Sequence, residues 1–402
     1  MPAAPDKFPL MIICLIMLCM GVGSMPAPVS AQTRSVTDMR GKKIELPAKI
    51  GRIGTIDDGF VEGLLTHIDE VDKVELIGSW SMKRDYKYDF ETVSGETYQH
   101  RGWNTMKFLH PWLDEKVCIN SPQGDILNFE ALAKAAPDLV ILRLGDCTVR
   151  ESNRAAAEKT IATIEALGFP LVVIHSPNWF KSSDLSTMRD EAAVIGAIFG
   201  KADEAASLMT WLAQSETLIR ERTKNIPQNE RAKVLYLGLN PNVRQQGGSG
   251  SAHGTDTPES YIIESVAGAK NVFTGKGSGV PLSAEQIYAL DPDVIILPTS
   301  NGYHPPRELY EAPYFVNLQE LRAVKNKRVY AMPWSPMNCA RRVEYPIDML
   351  IIAKAAHPDL FADINVYDFA LRFYQDVYGV DAETAAGLRS TQLLDWMKDT
   401  GF

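Results

Sequence analysis

The sequence predicts an α/β protein of two related lobes with parallel sheets, joined by one long helix, and three observations carry that expectation. Short apolar blocks of strand length alternate with helical stretches along most of the chain. LNFEALAKAAPDLVIL at 127–142 aligns without gaps to LSAEQIYALDPDVIIL at 282–297, a constant offset of 282 − 127 = 155 residues. Between the copies lies a stretch rich in Ala, Glu, Leu and Arg, with Ala205, Leu208, Met209, Leu212 and Ile219 at helical spacing.

At the amino terminus, Lys7 precedes an apolar run, 8–22, that is too short to span a bilayer. Val29 and Ala31 are the small residues a signal peptidase accepts, so residues 1–31 read as a removed leader and the product as exported. Neither Cys14 nor Cys19 follows small residues, which argues against a lipid anchor. The whole chain has 402 residues, 41 Lys plus Arg against 50 Asp plus Glu, and a net charge of −9. Such a chain repels polyanions, which excludes nucleic acid as a partner.

In the remainder, strand-like blocks fall at 52–56, 74–78, 138–144, 170–176, 233–239, 293–298 and 328–333. Each copy of the repeat reads as a helix N-cap, Asn128 or Ser283, a short helix, a Pro-Asp stop and a buried parallel strand. The stretch from 202 to about 225 reads as a helix roughly 36 Å long, enough to run beside both lobes and hold their separation. The domain reading is therefore 1–31 leader, 32–200 N-terminal lobe, 201–226 linker helix and 227–402 C-terminal lobe.

Beyond the leader, Cys118, Cys147 and Cys339 remain in a compartment that permits disulfides. Cys118 with Cys147 is one pairing, and three small buried hydrophobes is the alternative. No CxxC or Cys/His spacing marks a zinc site. No GxGxxG after a strand, Walker spacing, GxSxG elbow or HExxH occurs, so nothing announces a nucleotide-binding or hydrolytic enzyme. The segment 245–260, QQGGSGSAHGTDTPES, reads as a flexible lip ending in a helix start capped by Thr257.

The chain resembles the class III periplasmic substrate-binding proteins of ABC importers, the group that carries ferric siderophores, haem and cobalamin. The resemblance spans most of the chain beyond the leader. It is carried by VTDMRGKKIELP at 36–47, the two repeat phrases, and AVKNKRVYAMP at 323–333. It implies two α/β lobes joined by one helix, a ligand cleft between them, small closure on binding, and no catalytic step, cofactor or bound metal of its own. It also implies a monomer in the periplasm whose partners are a small-molecule metal chelate and an inner-membrane permease. One surface glutamate on each lobe meets the permease in this family, and the matching positions are Glu130 and Glu285.

Ligands of open parallel sheets sit beyond the carboxyl ends of the strands, so the loops there supply the candidates. Trp80, Trp179, Tyr303 and Trp334 offer flat faces suited to a macrocycle or a catecholate. Arg101, Arg143, Arg244 and Arg341 suit an anionic chelate, a propionate or an oxyanion. The segment 83–111, with Tyr86, Tyr88, Tyr98, Trp103 and His110, reads as a long loop bordering the site. The alternatives are a bare metal held by His175 and His304, an oxyanion such as molybdate, a chelatase-like enzyme, and a sensor or scaffold using the same clamp.

Overall fold

The structure is a computed structural model and describes residues 34–402 apart from 84, 122–123, 181–183, 240–242, 244–246, 299–305 and 334–341. Of residues 86, 88, 100, 103, 121 and 124–126 the backbone alone is described.

Two α/β lobes are present. In the first, β3 (Ile53–Ile56), β4 (Val74–Ile77), β7 (Val117–Cys118), β10 (Leu139–Leu144) and β11 (Leu171–His175) form a five-stranded sheet in the order β11-β10-β3-β4-β7. Every pair in it is parallel. Strand β10 is buried along its whole length, as expected for a strand covered on both faces. Three two-stranded ribbons flank this sheet: β1 (Arg34–Thr37) with β2 (Lys43–Leu46), β5 (Asp85–Glu91) with β6 (Thr97–Trp103), and β8 (Asn120–Ser121) with β9 (Gly124–Leu127). Its helices are α1 (Phe60–His67), α2 (Thr105–Leu109), α3 (Phe129–Ala135), α4 (Arg154–Ala166) and α5 (Thr187–Phe199).

In the second lobe β12 (Lys233–Gly238), β16 (Val294–Leu297) and β17 (Val329–Ala331) are parallel, with the short β14 (Lys270–Asn271) beside β12. β13 (Gly250–Ala252) and β15 (Val280–Leu282) extend this sheet antiparallel. Part of the supposed lip, 250–252, is thus a strand. Gly250 makes it possible, because a Cβ there would stand 2.4 Å from Leu237 Cδ1. The lip does end in a helix start: the Thr257 side chain caps α7 (Pro258–Ser260), which runs on into a π-turn, Tyr261–Val266.

All seven expected strand blocks contain a strand. Between the lobes runs α6 (Ala202–Thr223), and Ala205, Leu208, Met209, Leu212 and Ile219 are its buried stripe. The remaining helices are α8 (Ala284–Leu290), α9 (Pro306–Glu311), α10 (Arg322–Lys325), α11 (Tyr345–Ala356), α12 (Val366–Tyr378), α13 (Ala382–Thr391) and α14 (Trp396–Thr400). The chain returns to the first lobe at its end. α12 packs on α1, where His67 Nδ1 lies 2.8 Å from the Val377 carbonyl, and Phe108 of α2 fills the space over Gly387 of α13.

The repeat is structural as well as textual. Asn128 and Ser283 accept hydrogen bonds from backbone N–H groups of α3 and α8, and Ser283 with Gln286 completes a capping box. Both helices end on a left-handed residue, Ala136 and Asp291, immediately before the Pro-Asp stop. The stop's aspartate then takes the same task in each lobe. Asp138 accepts from Gly51 and Arg52 N–H, and Asp293 from Lys233 N–H, tying the start of β10 to that of β3 and the start of β16 to that of β12.

The suggested Cys118–Cys147 pairing is corrected. Cys147 is disulfide-bonded, whereas Cys118 is a free, half-buried thiol whose Sγ donates to the Asn120 carbonyl, 3.3 Å away. The partner of Cys147 therefore lies outside the described residues.

Candidate ligand-binding site

The carboxyl ends of β3, β4, β10 and β11 bring together residues that are far apart in sequence. Asp57 and Asp58 follow β3, Ser79 and Ser81 follow β4, Asp146 and Thr148 follow β10, and Ser176 follows β11; all are at least 95 % buried. Glu62 of α1 and Glu191 of α5 join them, both fully buried.

Arg143, near the end of β10, is also fully buried. Its Nε lies 2.6 Å from Glu191 Oε1, its Nη2 2.9 Å from Glu191 Oε2 and its Nη1 3.5 Å from Asp57 Oδ1, while the guanidinium sits 4.1 Å above the Phe60 ring. This bidentate pairing compensates a cation that would otherwise be prohibitively costly inside the lobe.

The turn at 57–59 is closed by Asp57, whose Oδ2 accepts from Gly59 and Val61 N–H. Gly59 has a φ of +111°, and a Cβ there would lie 3.2 Å from Arg342 Nε. That same Nε donates to the Asp58 carbonyl at 2.7 Å, so a residue from the far end of the chain is seated against the first lobe's floor. Asp58 in turn accepts from Ser79 and from Thr148 Oγ1 (3.1 Å), and Asp146 Oδ1 accepts from Thr148 and Val149 N–H.

Five buried carboxyl groups against the Arg143 and Arg342 guanidiniums cannot all be ionised, and the environment sorts them. Burial pushes Asp57 up, but Arg143 and the Val61 N–H outweigh it and hold this group below the ordinary carboxylate range. Burial raises Glu62 well above its ordinary value, and the Asp57 charge adds to this. Asp146 is raised well above its ordinary value by burial and then by Asp58 and Asp57. Asp58 is raised by burial despite its bond from Ser79. Glu191 is pushed up to about 7 by burial, against the pull of Arg143. The floor of this lobe is therefore a buried carboxyl network, held by the Arg143 and Arg342 guanidiniums, in which burial and mutual repulsion raise four groups and Arg143 lowers Asp57.

Beside it stands an aromatic shelf. His175, at the end of β11, stacks on Trp179 with ring centroids 5.5 Å apart, and the Arg154 guanidinium lies 4.1 Å from the other partner's ring centre, that of Trp179. Burial drives the His175 pKa down to about 4, so the imidazole is neutral at physiological pH. Phe180 meets His175 edge-on at 5.9 Å and remains 39 % exposed.

The other expected ligand residues are distributed as follows. Trp80 is half-buried in the 3₁₀ turn Trp80–Met82 after β4. Arg101 lies on β6, exposed, and is held by both oxygens of Asp85. Trp103 ends β6 opposite Asp85, with only its backbone described. Arg244, Tyr303, Trp334 and Arg341 lie outside the described residues. The segment 83–111 is an antiparallel hairpin followed by α2, so it is a built element and not an open loop.

In the second lobe, Ser278 Oγ and Glu259 Oε2 approach the same nitrogen of His253, Nδ1, at 3.1 and 3.4 Å. A nucleophile relay needs the two opposite ring nitrogens, so these residues do not form one. Among the described residues, no three His, Cys, Asp or Glu side chains are arranged to hold a metal ion.

Glu130 and Glu285 occupy equivalent exposed places in the first turns of α3 and α8. The Ser283 hydroxyl donates to Glu285 at 2.7 Å, which holds that carboxyl below its ordinary value.

Sequence reasoning reached Asp58 and Asp146 only as members of the strand-end loops 57–60 and 145–147, without singling them out, and it missed Glu62 and Glu191. Of these two Glu191 left a signal: it falls among Met188, Ala192 and Ile195, on the apolar stripe of α5, where an acid needs a buried partner.

Among the described residues no helix is long and apolar enough to cross a membrane. The sequence matches the family described as periplasmic binding protein over residues 100–336. No curated protein matches the sequence significantly. Among solved structures, a periplasmic solute binding protein from Veillonella parvula aligns at 23% identity, covering 92% of this chain and 99% of that one, with a TM-score of 0.68. The molybdate periplasmic binding protein MolA of Haemophilus influenzae aligns at 17% identity over 87% of this chain and 98% of its own, TM-score 0.63. The haem binding protein HmuT aligns at 21% over 81% and 90%, TM-score 0.52. At such identities these structures share the fold and say nothing further. The family match spans more than half of the chain, and with the two-lobed architecture and the paired repeat it shows that this protein belongs to the periplasmic binding protein family of solute binders and is not an enzyme.

Proposed function

We propose that the chain is the substrate-binding component of an ABC importer, which captures an iron chelate such as a siderophore or haem, or a corrinoid, and delivers it to an inner-membrane permease. The observation that carries the delivery half is the paired surface glutamate. Glu130 and Glu285 stand on helices with matching caps, 155 residues apart in sequence (285 − 130), exposed and in first turns where the helix dipole favours a negative charge. Two like anions on separate lobes steer and orient a basic partner surface.

The cargo half is supported by the aromatic shelf of His175, Trp179 and Arg154 beside the strand ends. A stacked, cation-backed ring suits a flat conjugated ligand with anionic substituents. Arg143 serves this site as a positioning residue, since its guanidinium is engaged by Glu191 and Asp57 below the surface. A leader at 1–31 and a mature chain from Gln32, with lobes at 32–200 and 227–402 about the linker 201–226, complete the reading.

The mechanism is differential affinity. Cargo binds the closed arrangement of the lobes more tightly than the open one, and the docked permease reverses that preference. Titration of purified protein with haemin, a ferric catecholate, cobalamin, molybdate and nickel, followed by tryptophan emission, tests the cargo class. Tight saturable quenching by one of the first three is expected. Saturation by molybdate or nickel alone would replace the chelate with an oxyanion or a bare metal.

A further inference from the structure

The β5–β6 hairpin belongs to neither sheet, yet it joins the lobes. Its roots are fixed in the first lobe: Met82 is fully buried, the Lys83 carbonyl accepts from Lys107 Nζ at 2.6 Å, and Asn104, fully buried, caps α2. Its tip is built into the second. Phe90 is 5% exposed inside the cluster formed by Leu237, Leu297, Leu309 and Phe315, and its ring lies 5.4 Å from Tyr98. Arg307 of α9 covers Tyr98 at 4.0 Å and reaches Glu96 at 3.1 Å, and Val93 N–H donates to the Glu311 carbonyl at 2.8 Å.

The two faces of the ribbon are unlike. Lys87, Asp89, Glu91, Thr97, Gln99 and Arg101 are all exposed, while Phe90 and Gly102 are buried and Tyr98 is half-buried. By the two-residue period of a strand, positions 86, 88 and 100 share the register of Phe90 and Tyr98. The ribbon leaves from beyond the carboxyl end of β4, in the first lobe, and its tip lands on α9, the helix next after β16 in the second. Seven residues per strand reach roughly 23 Å.

A lone two-stranded ribbon is marginally stable by itself, and this one depends at its tip on contacts with the second lobe, among them the Phe90 and Tyr98 rings, the Val93–Glu311 backbone hydrogen bond and the Arg307 guanidinium. We propose that the hairpin is a gate of the binding cleft, whose tip leaves α9 to admit cargo and redocks behind it. This rests on the carrier reading above. Cargo too large to pass a docked ribbon is then admitted only at the rate at which the tip releases.

Two measurements test it in a Cys118→Ser background. Hydrogen exchange read by mass spectrometry is expected to show residues 87–99 exchanging at least a hundredfold faster than β10, and a further tenfold faster in Arg307→Ala. Strap amides that exchange only with β10 would overturn the gate whether or not any cargo is found. In Val93→Cys with Glu311→Cys, a bifunctional thiol linker is expected to slow uptake of haemin or ferric catecholate at least tenfold, relative to the same protein with both thiols capped by N-ethylmaleimide. Equal uptake by linked and capped protein would also overturn it. Binding of neither probe to either form, with a freely exchanging strap, would count against the chelate reading and leave the gate standing.

Discussion

The two copies of the repeat agree where the lobes face outward and part company where they approach the cleft. From 127 to 142 and from 282 to 297 the caps, the exposed glutamate, the left-handed stop and the strand-tying aspartate correspond. One residue later they diverge: Arg143 in the first lobe stands where Pro298 does in the second, 143 + 155 = 298. Arg143 opens a network of Asp57, Glu191, Asp58 and Asp146, whereas Pro298 is buried and offers neither charge nor N–H donor. The two copies thus share their caps, stops and strand ties and differ at the strand ends, the place where the proposed function puts the ligand.

The largest way to break this asymmetry is to remove one partner of the buried pair. Glu191→Ala leaves the Arg143 guanidinium buried without its bidentate partner, and a loss of about 3–5 kcal/mol in unfolding free energy is expected. Pro298→Ala, at the matching place, is expected to cost about 1 kcal/mol or less. Chemical denaturation of both variants checks the contrast, and equal losses would dissolve it.

The charged floor also gives the first lobe a pH dependence. Glu191 has a folded pKa of about 7, above its ordinary 4.5, so the folded state holds a proton that the unfolded chain releases. The sign follows: stability is full below about 4.5 and is lost as pH rises to about 7. Glu62 and Asp146 act in the same direction. Asp57 opposes them, being lowered, and its contribution is lost in acid. Melting temperature is therefore expected to fall from pH 5 to pH 8, with a shallower fall in Glu191→Gln, as differential scanning calorimetry would show.

Smaller effects probe the part the lobes share. Asn128→Ala and Ser283→Ala each remove a helix N-cap, and each is expected to cost about 1 kcal/mol. Similar costs in the two lobes would confirm that the copies are mechanically equivalent. Glu130→Lys with Glu285→Lys is expected to leave folding and cargo affinity unchanged while abolishing uptake in cells. Loss of cargo binding by the free protein would remove the docking assignment.

The scaffold was legible because its signals are local. Seven apolar blocks mark seven strands, and the stripe of Ala205, Leu208, Met209, Leu212 and Ile219 marks the linker helix. The hairpin was readable in principle, since Tyr86, Tyr88 and Phe90 alternate with Lys87, Asp89 and Glu91. Its density of charge and Gly95 at the tip made it look like a loop. The floor was not readable. Arg143 meets Asp57 and Glu191 across 86 and 48 residues (143 − 57 and 191 − 143), and Arg342 reaches Asp58 across 284. No periodicity encodes such encounters; they exist only once the parallel strands have been laid side by side.

Whether this protein carries a metal chelate is read most directly by native mass spectrometry of the protein recovered from the periplasm of its own cells. The difference between native and denatured mass is the cargo. An adduct with the mass of an organic chelate and the isotope pattern of iron or cobalt is the predicted result. A lone metal ion, a small oxyanion or no adduct on fully folded protein would contradict it.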